Sequence, residues 1–387
     1  MDYITNLIHP VKESIVEFAK ALPKGSLGVT IHFIKYSQNI EFSSNSVAII
    51  GLPEDRNALN NEGSGKNLDA IREELYQLYT GNWAISIYDF GNVNIGNTYK
   101  DTEVAVQEIV KTLLNQKIIP ILIGGSQALT YAAYRAYDTL EQKVNLAVVD
   151  AKFDLGAMGG SIDSQSYLTK IVMEKPNNLF NFTNIGYQTF LNSQEEINLL
   201  DTLLFDAYRL GEVKNEIDIV EPVLRETDLL SIDIGSVRRV DAPANRNTLI
   251  SGLQADDICK ITRYAGLSDK VSVLGIFEYN AAFEKEAQTS QLIAQMIWYF
   301  IEGVNYRSYE FPSLDLRNFK KYIVMIDEET IQFYKSDTSG RWWMEINLKD
   351  NNKTKRRTLI PCTYNDYLTA SQQEIPKRWL VNRRKLG

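Results

Sequence analysis

The residues of this chain best placed to do chemistry are the acids that close its apolar runs. Leu146-Ala147-Val148-Val149 stops at Asp150, and Asp154 follows with Lys152 between the two. The run 228–233 likewise ends in Asp233, two residues before Gly235, and the run 271–277 stops at Glu278. A fourth run, 118–123, passes into Gly124-Gly125-Ser126-Gln127. A buried parallel strand reads as a continuous hydrophobic stretch, and open α/β sheets carry their chemistry just past the carboxyl ends of such strands. Carboxylates gathered there are costly unless a cation, commonly a metal ion, neutralises them. A lone acid in such a place would cap a helix or bond loop amides. Four gathered at three strand ends point to a shared site.

A sheet must gather these positions, and the hydrophobic pattern predicts one. Strand-like runs at 46–51, 85–91, 118–123, 145–150, 185–188, 228–233 and 271–278 alternate with helical stripes, among them 68–79, 106–114, 195–208, 254–266 and 292–301. Such alternation predicts an α/β fold of three αβα layers around a mostly parallel sheet. That main domain is expected over 46–310. Residues 1–45 read as an N-terminal arm with an amphipathic stripe (Val11, Ile15, Phe18, Ala19, Leu22) stopped by Pro23 and Gly25. The segment 53–67 contains Gly63-Ser64-Gly65-Lys66-Asn67, but a phosphate loop would need glycine at Asn60 and Ser or Thr at Asn67. It reads as a flexible surface loop.

From 311 to 387 the pattern changes to short β-like runs at 322–326, 330–336, 342–348 and 358–364, separated by turn clusters. A small antiparallel β appendage is expected. It carries Trp342, Trp343 and Trp379, with Arg341 and the basic clusters 353–357 and 383–385. Aromatics beside arginine suit an interaction surface for a protein partner. The other reading is that they cover a sheet edge of the main domain or of another subunit.

The bulk numbers set limits. With 44% hydrophobic and 23% charged residues the chain has an ordinary globular composition. A net charge of −8 argues against nucleic acid as a partner. No apolar run approaches the roughly 20 residues of a membrane helix, and the start lacks a signal-like apolar stretch. A cytoplasmic protein without membrane insertion is expected. Only two histidines are present, His9 and His32, so a mechanism built on a mid-chain histidine cluster is excluded.

The ordered strand-end motifs resemble the ureohydrolase superfamily of arginase, agmatinase and formimidoylglutamase. Its signatures are Gly-Gly-Asp-His, Asp-Ala-His-x-Asp and Ser-x-Asp-x-Asp. They are matched here by 124–127, by Asp150-Ala151-Lys152-Phe153-Asp154 and by Ser231-Ile232-Asp233-Ile234-Gly235. Asn184-Ile185-Gly186-Tyr187-Gln188 and Arg263-Tyr264-Ala265-Gly266 are similar to the formimidoylglutamase branch. The resemblance implies two manganese ions and a bridging hydroxide that attacks a guanidinium or imine carbon. It also implies that one metal would be held at Gln127, Asp150, Asp154 and Asp233. The other would need donors where this chain has Lys152 and Gly235. Glycine offers no side-chain ligand and an ammonium has no lone pair. Glu278 matches a substrate-side acid, and the loop 159–167 would line the pocket.

The expectation is a family member that has lost binuclear hydrolysis and acts in assembly, scaffolding or ligand sensing, with no cofactor. The Lys152 ammonium would then take the missing metal's place and neutralise the carboxylates. The competing expectation is a hydrolase of a formimidoyl or guanidino substrate using a single Mn or Mg ion. A third possibility is unrelated chemistry with Lys152 as nucleophile or base, which three adjacent carboxylates oppose by holding it protonated. The resemblance further implies a homo-oligomer.

Overall fold

The computed structural model describes residues 2–35, 42–43, 46–140, 142–156, 162–312, 316–327, 329–348 and 356–386. Of the expectations above, residues 159–161 of the pocket loop and 353–355 of one basic cluster lie outside them.

The strands are β1 (Ile8–His9), β2 (His32–Phe33), β3 (Ser46–Gly51), β4 (Ser86–Val93), β5 (Ile118–Ile123), β6 (Val144–Val149) and β7 (Leu179–Tyr187). They continue with β8 (Asp206–Arg209), β9 (Leu229–Asp233), β10 (Val273–Phe277), β11 (Phe319–Ile326), β12 (Glu329–Ser336), β13 (Trp342–Leu348) and β14 (Arg356–Cys362). The first ten make one sheet in the order β1-β4-β3-β5-β10-β9-β6-β7-β8, with β2 also on β4. All its pairings are parallel except β1 with β4.

Side chains alternate across the sheet, as a period of two requires. Val47, Ile49, Ile121 and Val149 face a layer built from the helices Asp69–Gln77, Ala255–Leu267 and Gln288–Asn305. Ala48, Ile50, Leu122 and Val148 face the helices Tyr99–Asn115, Thr130–Arg135 and Tyr167–Met173. Both faces are therefore dry, and the strands read as unbroken apolar runs. The expected three-layer α/β architecture is present.

Three details differ from the sequence reading. The N-terminal segment is woven into the sheet: β1 and β2 both pair with β4, and Ile15, Val16 and Ala19 of the helix Glu13–Ala21 are buried. The predicted helix 195–208 stops early, at Thr202, and its last residues form the edge strand β8. Segment 53–67 is no loose surface loop, since Glu54, Asn61 and Ser64 are fully buried across the strand ends.

The C-terminal part is a separate 4-stranded antiparallel sheet, β11-β12-β13-β14, followed by two helices, Tyr364–Ser371 and Lys377–Leu386. Its tryptophans are not an exposed interaction surface. Trp342, Met344 and Ile346 on one face of β13 pack into the small core with Trp379. Trp343 on the other face is 1% exposed. The Arg225 guanidinium of the helix Val220–Glu226 lies 4.7 Å from its ring centroid. Arg225 Nη2 donates to the carbonyls of Trp342 and Cys362, each at 3.0 Å. Arg341 pairs with Glu221 at 3.2 Å, so it too serves this seam. Burying an aromatic face is worth more inside one chain than left open to water, and β13 is covered on both sides, by the small core on one and by Arg225 on the other.

Candidate functional site

Four neighbouring strands of the main sheet, β5-β10-β9-β6, bring the candidate residues to one edge. Gln127 follows β5, Glu278 follows β10, Asp233 ends β9, and Asp150, Lys152 and Asp154 follow β6. Gly125, with φ of +72°, lets the end of β5 run against the loop after β3. A Cβ there would sit 2.5 Å from the Leu52 carbonyl oxygen.

The segment after β6 is tightly held by its neighbours. Asn184 Nδ2 donates to the Lys152 carbonyl at 2.8 Å, and Asn192 Nδ2 to the Ala151 carbonyl at 3.0 Å. Asp150 Oδ1 accepts the Lys152 backbone N–H at 2.8 Å. Asp154 takes a left-handed backbone with φ of +55°, a conformation that short acidic residues tolerate. Asp233 Oδ1 accepts from the Gly235 N–H at 2.7 Å and from Asn245 Nδ2 at 3.2 Å.

Glu278 is 1% exposed and fully engaged. Oε1 accepts the Gln127 backbone N–H at 2.9 Å and Oε2 accepts Asn61 Nδ2 at 2.7 Å. Asn61 in turn accepts from the Arg246 N–H at 3.1 Å and from Asn280 Nδ2 at 3.1 Å. The acid expected beside a substrate thus clamps the loop after β3 onto the strand ends.

The electrostatics follow from burial. Desolvation pushes the Asp150 carboxyl up to about 6, against the pull of the Lys152 N–H, Asp154, Gln127 and the Lys152 charge. Burial and then the Asp150 and Asp233 charges hold Asp154 well above the usual carboxylate range. Asp233 is raised by burial, then by Asp150 and Glu278. Glu278 is pushed up by burial to about 7. Asp154 Oδ2 and Gln127 Nε2 are buried without a hydrogen-bond partner among the described residues. Burial beside two other carboxylates disfavours the charged form of Asp154.

Lys152 forms no ion pair with any carboxylate among the described residues. Its charge favours ionisation of Asp150, Asp154 and Asp233 only at longer range. Direct neutralisation by its ammonium is therefore not what the geometry gives. The Lys152 backbone is fixed by Asn184 and by Asp150, and a proton shared between carboxyls is the less costly compensation in a buried cluster.

The donor set does not fit a binuclear manganese centre. Among the described residues no group of three or more His, Cys, Asp or Glu side chains is disposed to hold a metal ion. A Cβ on Gly235 would meet Asn245 Nδ2 and Asp233 Oδ1 at 3.0 Å each, so a side chain there needs those atoms to give by a few tenths of an ångström.

One residue at this edge escaped the sequence reading: Asn245 lies in a loop whose only signal is the polar run Asn245-Arg246-Asn247. Tyr167, the last residue of the loop expected to line the pocket, is buried at the start of its helix, and its hydroxyl is raised by burial and then by the Asp154, Asp150 and Asp233 charges.

The arginase family model matches residues 45–302. The chain belongs to the arginase family. It is 24% identical over 276 residues to the formimidoylglutamase of Staphylococcus aureus (strain MRSA252), covering 66% of this chain and 86% of that protein. The formimidoylglutamase of Staphylococcus haemolyticus (strain JCSC1435) is 23% identical over 277 residues, covering 66% and 85%. Among solved structures, formimidoylglutamase from Bacillus subtilis subsp. subtilis str. 168 superposes with a TM-score of 0.66 at 16% identity. That match covers 77% of this chain and 100% of the other. Trypanosoma cruzi formiminoglutamase, solved with Mn2+, gives 0.63 at 20% identity, covering 70% and 97%. These likenesses establish the shared fold. The family match ends at residue 302, and the C-terminal sheet stands beyond it.

Proposed function

We propose that this arginase-family chain is a non-catalytic member in which a hydrogen-bonded, proton-sharing carboxylate cluster stands where relatives hold manganese. It acts in assembly, scaffolding or ligand sensing, in the cytoplasm and as a homo-oligomer. The observation that carries this reading is the Asn245 amide, which donates to Asp233 and lies 3.0 Å from where a Cβ at position 235 would stand. Sequestration of Glu278 supports it as well, since an acid already bonded to Asn61 and Gln127 has little to offer a cationic substrate.

One observation favours a second reading, a hydrolase of a formimidoyl or guanidino substrate with a single Mn or Mg ion. The partnerless Asp154 Oδ2 is an orphaned acceptor in a buried cluster with Gln127, Asp150 and Asp233. A hard cation with oxygen ligands would satisfy it. An ammonia- and urea-release assay with formimidoylglutamate, arginine and agmatine, in excess manganese or magnesium, separates the two. No turnover on any of them is expected. Metal-dependent turnover would replace the first reading by the second.

A further inference from the structure

The main domain has a cavity of about 720 Å³ immediately beside the carboxylate cluster. Asn245 forms a wall of it and at the same time holds Asp233 Oδ1, so the two sites share a residue. Its lining contains four cationic residues, Arg238, Arg239, Arg246 and Lys285, and no acid. In a chain of net charge −8 such a wall is unexpected.

The four cations are not equivalent. Arg238 is neutralised by Asp241 at 2.6 Å. Arg239 Nη2 is engaged by the Thr248 carbonyl at 2.6 Å, which fixes the guanidinium without cancelling its charge. Arg246 and Lys285 have neither an ion pair nor a side-chain hydrogen bond among the described residues. Arg246 is nonetheless anchored, because its backbone N–H bonds Asn61 Oδ1 at 3.1 Å. One acid on the adjoining segment, Glu284, is turned to cap the helix Gln288–Asn305 through the Thr289 and Ser290 N–H groups at 3.0 and 2.9 Å, and Glu286 beside Lys285 forms no ion pair among the described residues. Three positive charges without an ion pair among the described residues therefore border one space. Its rim is apolar: Ile250 is 88% exposed, Val240 65% and Phe283 39%.

We propose that this cavity binds a small organic phosphate, a multiply charged anion on a partly apolar body. Guanidinium forks match phosphate oxygens, and two arginines with one lysine balance a dianion better than a single carboxylate. The volume exceeds that of a bare phosphate and falls in the range of small-molecule sites, which leaves room for a body against Phe283 and Ile250. The larger cavity of about 890 Å³ along the seam with the C-terminal sheet is lined by acids and bases together and selects for no charge. The proposal deepens the ligand-sensing form of the reading above and rests on it. Occupancy would be felt at the cluster through Asn245.

The test is calorimetric titration of the full chain with phenyl phosphate at low salt, with phthalate and phenol as the dicarboxylate and uncharged arms. Phenyl phosphate is expected to bind more tightly than phthalate, to weaken with added salt, and to outbind phenol. The double variant Arg246→Ala/Lys285→Ala removes two side chains without an ion pair or hydrogen bond among the described residues, so its melting temperature should match the parent. Its affinity should fall about tenfold or more. Absence of phenyl phosphate binding, tighter binding of phthalate, or an unchanged affinity in the double variant would each overturn the proposal. Those results leave the non-catalytic reading standing. Metal-dependent hydrolysis would overturn that reading and leave the anion titration unaffected.

Discussion

Asp154 concentrates the physics of this site. It is buried, faces the charges of Asp150 and Asp233, and has an oxygen with no donor. If it carries a proton, Asp154→Asn replaces one neutral group by another of the same shape. Urea unfolding at pH 7 should then show a change within about 1 kcal/mol, or a gain. A loss beyond about 2 kcal/mol would mean that the charge itself is needed. The same cluster sets a pH dependence. Unfolded carboxyls titrate near 4, whereas folded Asp150 titrates at about 6 and Glu278 at about 7. Between those values the folded chain binds more protons than the unfolded chain, so this contribution favours folding at the acid end. It is lost as pH rises through 6 to 7. Melting curves should show it, with a shallower slope in the Asp154→Asn variant. The acids at the strand ends were visible in the sequence because apolar runs end abruptly there. The upward shift of Asp154 was not, since it depends on burial and on charges that meet only across β6 and β9. Lys152 misled for the same reason: its position in sequence is between two aspartates, but a side chain two residues along a loop need not point back at either.

At the scale of elements, alternation of apolar runs and helical stripes was enough to give the parallel sheet and both covering layers. What stayed hidden were elements specified by partners. β8 is short and half-buried, formed because β7 offers it an edge, so its residues were read as the end of a helix. The helix Tyr364–Ser371 did carry a local sign, the Thr363-x-x-Asp366 capping box, with the Thr363 N–H bonded to Asp366 Oδ2 at 2.8 Å. The tryptophans of β13 look like a surface until the strand is given two faces to fill. Arg225 is the residue on which that packing turns. Its burial lowers its own pKa, Glu221 pairs with it at 3.1 Å, and it bonds two carbonyls of the C-terminal sheet. Arg225→Ala leaves those acceptors without a donor and should cost about 2–4 kcal/mol. Urea unfolding with limited proteolysis should show the loss together with faster cutting within 311–387. A cost under about 0.5 kcal/mol would mean that the seam is held elsewhere.

Over the whole molecule, the family architecture is retained, and the proposed reading is that the centre at its strand ends is rebuilt. The positions that reading rests on are distributed: Gln127, Lys152 and Gly235 lie on three different strand ends, and Asn245 comes from a fourth segment. Restoring Gln127→His, Lys152→His and Gly235→Asp alone should bind manganese poorly, because the carboxylate introduced at position 235 meets the Asn245 amide. Crowding of that kind costs about 1–3 kcal/mol. Adding Asn245→Ala should strengthen binding in a calorimetric manganese titration. Equal affinity with and without that fourth change would show that Asn245 is not the obstacle.

The most direct measurement is the manganese content of the unaltered full chain after incubation with excess Mn2+ and removal of free ion. The account predicts substoichiometric metal, with the melting temperature unmoved by Mn2+. Two manganese ions retained per chain, with a raised melting temperature, would contradict it.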